Sequence, residues 1–117
     1  MPYQSFEKLE VWQRSCQQAV NVLDIVEKFT NFALKDQMSR SAISVPSNIA
    51  EGHGRNSNGD FARFLNIAQG SNGELRTQLY IAQKKNFIDS ESAKQLTHEN
   101  IEISNMIHGL KRSIGSQ

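Results

Sequence analysis

The 117-residue chain contains one cysteine, two prolines and no long apolar run, and each shortage excludes a class of structure. The single thiol, Cys16, cannot form an internal disulfide, which favours a reducing compartment. No apolar stretch approaches the roughly 20 residues that a membrane-spanning helix needs. Residues 1–5 also lack the charged and apolar regions of a signal peptide. These shortages predict a cytoplasmic protein with no membrane partner.

An excess of charge of one sign is missing as well, since 13 basic and 12 acidic residues give a net charge of +1. A dedicated nucleic-acid-binding domain usually has a basic excess or a concentrated basic patch. The charge balance therefore argues against that class without excluding it.

Catalytic and metal-binding motifs are also absent from the sequence. His53, His98 and His108 are not preceded three residues earlier by the glutamate that carboxylate-bridged di-metal bundles require. No phosphate-binding loop, dinucleotide fingerprint, zinc spacing or serine elbow occurs. We therefore expect no metal, no cofactor and no enzymatic activity.

What the sequence does contain is helical periodicity. Apolar residues recur at steps of three and four in segments of about 9–29, 32–52, 58–85 and 90–114. The connections between these segments are short, so consecutive helices should be antiparallel neighbours. The prediction is a single all-α domain, an antiparallel up-down-up-down four-helix bundle.

The first helix carries two apolar stripes. The stripe predicted to form the core seam is Leu9, Trp12, Cys16, Ala19, Leu23 and Val26. The stripe beside it is Val11, Val22, Ile25 and Phe29. Because one stripe suffices for an intramolecular core, this helix is predicted to face two partners.

The other three helices each carry one clear core seam. The second is Leu34, Met38, Ala42, Val45 and Ile49. The third is Phe61, Leu65, Ala68, Asn72, Leu75, Leu79 and Ala82. The fourth is Ala93, Leu96, Asn100, Ile103, Ile107, Leu110 and Ile114. The turn at Phe87 predicts that Leu75 meets Asn100 and Asn72 meets Ile103, so the two asparagines should occupy adjacent layers.

Proline and glycine add expectations about the backbone. Pro46 lies inside the second apolar pattern and favours a kink over a helix restart. Gly52 or Gly54 is expected to end that helix in the left-handed conformation. Gly70 and Gly73 each cost roughly 1 kcal/mol inside a helix, which favours close approach of another helix, within the bundle or across subunits.

A distinctive string extends from Ser44 to Leu79. It reads S-V-P-S-N-I-A-E-G-H-G-R, then D-F-A-R-F-L-N-I-A-Q-G-S, then E-L and T-Q-L. It resembles the S23-type family encoded in intervening sequences of bacterial 23S ribosomal RNA genes, whose pattern is S-I-P-x-N-I-A-E-G-x-G-R, E-F-x-x-F-L-x-I-A-x-G-S and E-L-x-T-Q-L. The opening Phe6-x-x-Leu9-x-Val11-Trp12 also looks like the start of that family.

The resemblance implies a closed four-helix bundle that forms ring-like homo-oligomers, expected to be pentamers, with no known enzymatic activity. It also implies similarity to the accessory proteins of diversity-generating retroelements, which bind a reverse transcriptase and nucleic acid.

Polar and small residues of the motif region form the predicted site. Its members are Arg40, Asn48, Glu51, Gly52, Arg55, Phe64, Gly70, Ser71, Glu74 and Gln78. Polar groups embedded in an apolar row are costly to bury unless they pair. We expect the predicted set to form a network of paired polar groups that joins the second and third helices. The alternative is a subunit interface or a ligand site, and both interpretations can hold together.

A second set is the possible nucleic-acid contact, formed by the cations that the topology gathers at one end: Lys8, Arg55, Arg63, Lys111 and Arg112. Four acidic residues gather there too, Glu7, Glu10, Glu51 and Asp60, so that end carries about +1. In a ring of five copies such small excesses would add.

The sequence therefore predicts a non-enzymatic, homo-oligomeric scaffold or interaction module with a protein or nucleic-acid partner. The alternative is an accessory protein that binds RNA or DNA and acts with a reverse transcriptase. An enzyme built on Glu51 and Glu74 has little support, because two carboxylates without a nucleophile, metal motif or cofactor fingerprint define no reaction.

Overall fold

The computed structural model describes residues 5–115, which form four α-helices with no strand in that range. A single 3₁₀ turn at Phe6–Lys8 precedes the first helix. The helices are α1 (Glu10–Val26), α2 (Phe32–His53), α3 (Asn58–Lys84) and α4 (Ser90–Gly115). Within this range, none of the helices is both long enough and apolar enough to cross a membrane. The absence of a signal peptide was predicted from residues 1–5, of which only Ser5 lies within the described range.

The four helices form a closed antiparallel bundle. Neighbours along the chain pack together, and α1 also packs against α4. Among the described residues, the backbones of the diagonal pairs do not approach closely, although a side-chain hydrogen bond joins α1 to α3 across the core. The bundle measures 49 × 20 × 20 Å. The prediction of an all-α, up-down-up-down four-helix bundle is confirmed.

Three helix starts are capped by side chains that accept a backbone N–H. Asn31 Oδ1 accepts from Leu34 N–H at 2.9 Å, and Ser57 Oγ accepts from Asp60 N–H at 3.1 Å. Asp89 Oδ2 accepts from Ser92 N–H at 3.0 Å, and hydrogen bonding to Ser92 lowers the pKa of Asp89. These caps satisfy donors that have no partner within a helix, which explains where α2, α3 and α4 begin.

The core seams predicted for α2, α3 and α4 face the interior. Met38, Val45 and Ile49 are fully buried in α2, and Leu65 and Leu75 in α3. The remaining fully or almost fully buried members of these seams are Ala42, Ala68, Asn72, Leu79, Ala82, Ala93, Asn100, Ile103 and Ile107.

Helix α1 differs from the prediction in its rotation and its length. Val11, Val22 and Val26 are buried, whereas Leu23 of the predicted seam is 39% exposed. The core face therefore combines most of the second stripe with parts of the first. Helix α1 ends at Val26 rather than 29, and Phe29 enters the core from the following loop.

Pro46 lies inside one continuous helix, so α2 does not restart there. Ala42 and Val45 before it and Ile49 after it are all fully buried. The apolar face is therefore unbroken across the proline, and its burial compensates for the hydrogen bond that proline cannot donate to Ala42.

The left-handed conformation expected at Gly52 or Gly54 does not occur there. Gly54 closes α2 with φ −80°, and the left-handed residue is Asn86, with φ 61°, after α3. Gly52 is required for a different reason, because a Cβ there would lie 2.6 Å from Phe64 Cβ and 3.0 Å from Phe61 Cδ1. The absence of a side chain lets α2 and α3 approach closely.

Gly52→Ala should therefore lower the free energy of unfolding by about 1–3 kcal/mol, because the two helices must separate to admit the methyl group. Gly109→Ala is the matched control, since no described atom lies within 4 Å of a Cβ at that position. The control should be neutral or more stable by up to about 1 kcal/mol. Equal denaturation midpoints for the two variants would contradict the close-approach explanation.

Candidate interaction surface and buried polar layer

Three amide side chains form a polar layer in the middle of the core. Gln18 of α1 is 1% exposed, and Asn72 of α3 and Asn100 of α4 are fully buried. Gln18 Nε2 donates to Asn72 Oδ1 at 3.0 Å, Asn72 Nδ2 donates to the Asn100 carbonyl at 2.9 Å, and Asn100 Nδ2 donates to Gln18 Oε1 at 3.1 Å. The cycle pairs all three amides, so the layer avoids the cost of unpaired buried polar groups.

The layer divides the apolar core into two clusters. One cluster is Val11, Val45, Ile49, Leu65, Ala68, Ile103 and Ile107. The other is Ala19, Val22, Val26, Phe29, Met38, Ala42, Leu75, Leu79, Ala82, Ile88, Ala93 and Leu96. Sliding α1, α3 or α4 along its neighbours would place an amide against one of these apolar clusters.

One arginine extends the layer towards the surface, and a second forms a separate pair between α1 and α4. Arg76 Nε donates to Asn100 Oδ1 at 3.0 Å. Arg14 forms a two-pronged pair with Glu99, with distances of 2.9 Å from Nε and 2.6 Å from Nη2. Hydrogen bonding to Glu99 raises the pKa of Arg14. This pair joins α1 to α4.

The predicted register of α3 and α4 was wrong by about one helical turn. Asn72 contacts Asn100 directly instead of Ile103, and Gln69 hydrogen-bonds Ser104 through both groups of its amide. Adjacent-layer placement would leave each buried asparagine without its present partner, whereas the observed register pairs them. The prediction also missed Gln18, although its position between Val11 and Val22 in the second stripe of α1 was a usable signal.

Replacing one member of the layer should cost more than replacing all three. Asn72→Leu removes the acceptor of buried Gln18 Nε2 and the side-chain donor to the Asn100 carbonyl, and should lower the free energy of unfolding by about 2–4 kcal/mol. The triple variant with leucine at all three positions should recover most of that loss, because no buried side-chain amide remains unpaired and the half-buried Arg76 can turn to solvent. Urea denaturation of both variants measures the difference, and a triple variant that loses the sum of three single losses would refute this account.

A smaller polar cluster joins α2 to α3 and contains two of the predicted site residues, Asn48 and Ser71. The hydroxyl oxygens of Ser44 and Ser71 are 2.8 Å apart, and Asn48 Nδ2 donates to Ser44 Oγ at 2.9 Å and to the Ser44 carbonyl at 2.8 Å. This part of the predicted set forms a satisfied contact between the two helices.

Two guanidinium groups, one from the loop after α2 and one from the start of α3, stack on one aromatic ring of α3. The Cζ atoms of Arg55 and Arg63 lie 4.8 Å and 4.6 Å from the centre of the Phe64 ring. Arg55 also pairs with Glu51 at 3.0 Å, and Arg63 with Asp60 at 3.7 Å. Phe64 is itself buried under these cations, so the stacking holds both arginines near the bundle end.

The other cations expected at this end are Lys8, Lys111 and Arg112. Lys8 ends the 3₁₀ turn before α1, and Lys111 and Arg112 lie in the last turns of α4. The antiparallel order brings these segments to the end where α2 finishes. Asn58 Nδ2 donates to the Ile114 carbonyl at 3.4 Å, which ties the start of α3 to the same end.

The remaining members of the predicted set do not join a network within the chain. Arg40 pairs with Asp36 at 3.0 Å on the exposed side of α2. Within residues 5–115, Glu74 has no hydrogen bond or ion pair, Gln78 Oε1 is buried without a partner, and nothing lies within 4 Å of a Cβ placed on Gly70 or Gly73. The close contact expected at these two glycines is therefore absent inside the bundle.

In dilute, monomeric protein, Gln78→Met should raise the free energy of unfolding by about 1 kcal/mol, because it replaces a buried oxygen that lacks a partner within its own chain with an apolar group of similar size. Gln69→Met is the matched control, since both groups of that amide are paired with Ser104, and it should lower stability by a similar amount. Thermal unfolding compares the two, and a destabilised Gln78→Met protein would contradict the expectation.

An apolar groove lies on the surface between α1 and α2. Its volume is about 420 Å³. The groove is lined by Phe6, Trp12, Cys16, Ala19, Val20, Ile43, Pro46, Ser47 and Ala50. Val20 is 49% and Ile43 is 47% exposed. The stripe that was predicted to form the core seam of α1 thus supplies one wall of this groove.

The surface around the groove lacks charge. Residues 15–23 of α1, 41–50 of α2 and 64–73 of α3 contain no Asp, Glu, Lys or Arg. These stretches lie side by side, since Val20 and Ile43 line one groove and Ser44 contacts Ser71. Depletion of charged residues is typical of the centre of protein–protein interfaces, and exposed apolar patches are common at such interfaces.

The groove offers apolar contacts and one thiol. Burial raises the pKa of the Cys16 thiol, which keeps it protonated at neutral pH. No group of three or more His, Cys, Asp and Glu side chains within residues 5–115 is placed to hold a metal ion.

The fold and this surface define a class of protein, a small four-helix bundle with an uncharged, apolar lateral face. Comparison with protein families matches residues 7–109 to the 23S rRNA-intervening sequence protein family. The chain belongs to that family, which confirms the resemblance seen in the motif from Ser44 to Leu79.

The fold is also that of a solved relative. The chain is similar to a crystal structure of a protein of unknown function from the S23 ribosomal protein family of Bacteroides thetaiotaomicron VPI-5482, with a TM-score of 0.83 and 24% sequence identity. The alignment covers 86% of this chain and 97% of that chain. Comparison with curated proteins found no match. Neither the family nor the relative carries an indication of catalysis.

Proposed function

We propose that this chain is a non-enzymatic, self-associating scaffold or interaction module, assembled as a ring of identical copies with five as the expected number. The observation that carries the proposal is the uncharged apolar groove between α1 and α2, with Val20 and Ile43 about half exposed. Burying such a surface against another protein is favourable by roughly 25 cal/mol per Å² of apolar area.

The polar chemistry of the chain supports a structural role. The side-chain amides of Gln18, Asn72 and Asn100 are all engaged in hydrogen bonds between helices. Cys16 has apolar surroundings and a raised pKa, which suit a thiol that packs rather than one that reacts. The absence of enzymatic activity is part of the proposal.

Solution mass tests self-association. By light scattering, the wild-type protein should have a mass of several times the 13.2 kDa of one chain. Val20→Glu should reduce it towards the monomer, because the new carboxylate would be buried without a partner. Ile101→Glu on α4 is the control, since Ile101 is 37% exposed and lies outside the groove. A wild-type monomer at every concentration, or equal effects of both substitutions, would refute the proposal.

The alternative function is binding of RNA or DNA as an accessory of a reverse transcriptase. One observation favours it, the pair of guanidinium groups stacked on Phe64 at the end where Lys8, Lys111 and Arg112 gather. In a ring, the end surfaces of several copies would form one rim, and their small positive excesses would add.

Retention of labelled RNA at two salt concentrations tests this alternative. Binding through phosphate contacts should weaken steeply between roughly 50 and 200 mM salt. Arg63→Ala should weaken it, whereas Lys94→Ala near the opposite end of α4 should not. No retention of RNA at low salt, or equal losses in the two variants, would exclude binding at this rim.

A further inference from the structure

Two different surfaces of the bundle lack partners. The first is the α1–α2 groove. The second is a stripe along α3, which we call the α3 stripe, formed by Ile67, Gly70, Glu74, Gln78 and Ile81. These positions follow one another at three- or four-residue steps and therefore share one side of the helix.

The α3 stripe has several features that its own chain does not explain. Ile67 is 42% and Ile81 is 48% exposed. Glu74 has no partner among the described residues, and Gln78 Oε1 is buried without one. Gly70, inside the helix, costs roughly 1 kcal/mol relative to alanine and allows no closer contact within the bundle. Each feature would be explained by a second chain lying on this stripe.

Closed rings use two different, complementary patches on every copy. If the ring axis is parallel to the bundle axis, neighbouring copies are related by a rotation without any shift along that axis. The two patches must then lie at the same height, that is, at the same position along the bundle axis. Ser44 and Ser71 fix a common height on α2 and α3, because their hydroxyl oxygens are 2.8 Å apart. Ile43 of the groove is next to Ser44, and Gly70 of the stripe is next to Ser71, so Ile67 and Gly70 lie at the height of the groove. Glu74, Gln78 and Ile81 lie beyond its end, at the height of the N-terminal half of α2.

The charges of the two patches are also complementary. Arg40 shares a side of α2 with Ile43 and Ser47 of the groove, at steps of three and four residues. It lies four residues before Ser44, and Glu74 lies three residues after Ser71. In antiparallel helices these offsets run in the same direction, which places Arg40 and Glu74 within about 1.5 Å in height.

Arg40 and Glu74 do not pair within the chain. Arg40 is paired only with Asp36, through an exposed contact between neighbouring turns of α2, and such pairs are weak. Its guanidinium can therefore turn to a carboxylate on another copy at little cost. Glu74 is the single ionisable group of an otherwise uncharged stripe, so burying it requires a cation on the facing surface.

From these observations we propose that the α3 stripe of one copy docks against the α1–α2 side of the next, with Ile67 and Gly70 of the first copy in the groove of the second. Beyond the end of the groove, Glu74 of the first copy pairs with Arg40 of the second. This inference rests on the proposed self-association and assigns its two faces. The occupant of the groove is a second copy of this chain.

Charge reversal tests the pairing. Glu74→Arg and Arg40→Glu should each weaken assembly on the order of tenfold or more, measured as the apparent dissociation constant in sedimentation or light scattering, because each places like charges together. The double variant restores opposite charges in every interface and should assemble nearly as tightly as the wild type. Lys94→Glu, an exposed charge reversal on α4, is the control and should leave assembly unchanged.

The native thiol supplies an independent readout. Cys16 is the only cysteine and lies in the groove, so its rate of labelling by a disulfide reagent should fall severalfold when the protein is concentrated from monomer to assembly. Glu74→Arg should keep the rate high at concentrations at which the wild type is protected. Monomeric variants are compared by circular dichroism to show that the bundle remains folded.

The outcomes separate this inference from the proposed function. A wild-type chain that stays monomeric overturns both the proposed self-association and the docking arrangement. The occupant of the groove would then be a different protein. A wild-type chain that assembles, with no rescue in the double variant and equal Cys16 labelling in dilute and concentrated samples, overturns the docking arrangement alone. Restored assembly in the double variant, together with slower labelling of Cys16 in concentrated wild-type protein, supports the docking arrangement.

Discussion

The pairing of three buried amides constrains the rest of this bundle. Gln18, Asn72 and Asn100 come from three different helices and satisfy one another in a cycle. A longitudinal shift or a rotation of any of these helices would break hydrogen bonds in a place that water does not reach. Apolar contacts alone tolerate such shifts, because one leucine can replace another, whereas a paired amide tolerates few.

The polar layer also shapes the surface of the protein. To reach Asn72, Gln18 must point inward, and this sets the rotation of α1 about its axis. The same rotation carries Leu23 outward and places Trp12 and Cys16 at the margin beside α2. The uncharged groove is thus a consequence of how the core is paired. In this way a requirement of the interior produces the exposed apolar face on which the proposed self-association depends.

Sequence periodicity predicted the core faces of α2, α3 and α4 well, because each has one long apolar seam. The second row of α3, with Ile67 and Ile81, is interrupted by polar residues and did not compete with that seam. Periodicity failed for α1, which has two stripes, since counting apolar residues cannot tell which one is covered. The α3–α4 register was also wrong, because the argument aligned the helices from their turn and ignored the gain from pairing Asn72 with Asn100. The residues that were predicted to form one site do not all lie together. Ser71 and Asn48 form a contact between helices, whereas Arg40 and Glu74 lie on the surface.

The sequence by itself determined the four helices, their antiparallel order and the family, since these depend on local spacing, short connections and the motif from Ser44 to Leu79. Only the tertiary structure decided that Gly52 is needed for close helix contact and that Gly70 is not. It also decided which stripe of α1 enters the core and which residues are left without partners. These properties depend on distances between segments far apart in the chain, and the spacing of residues within one helix carries no information about them.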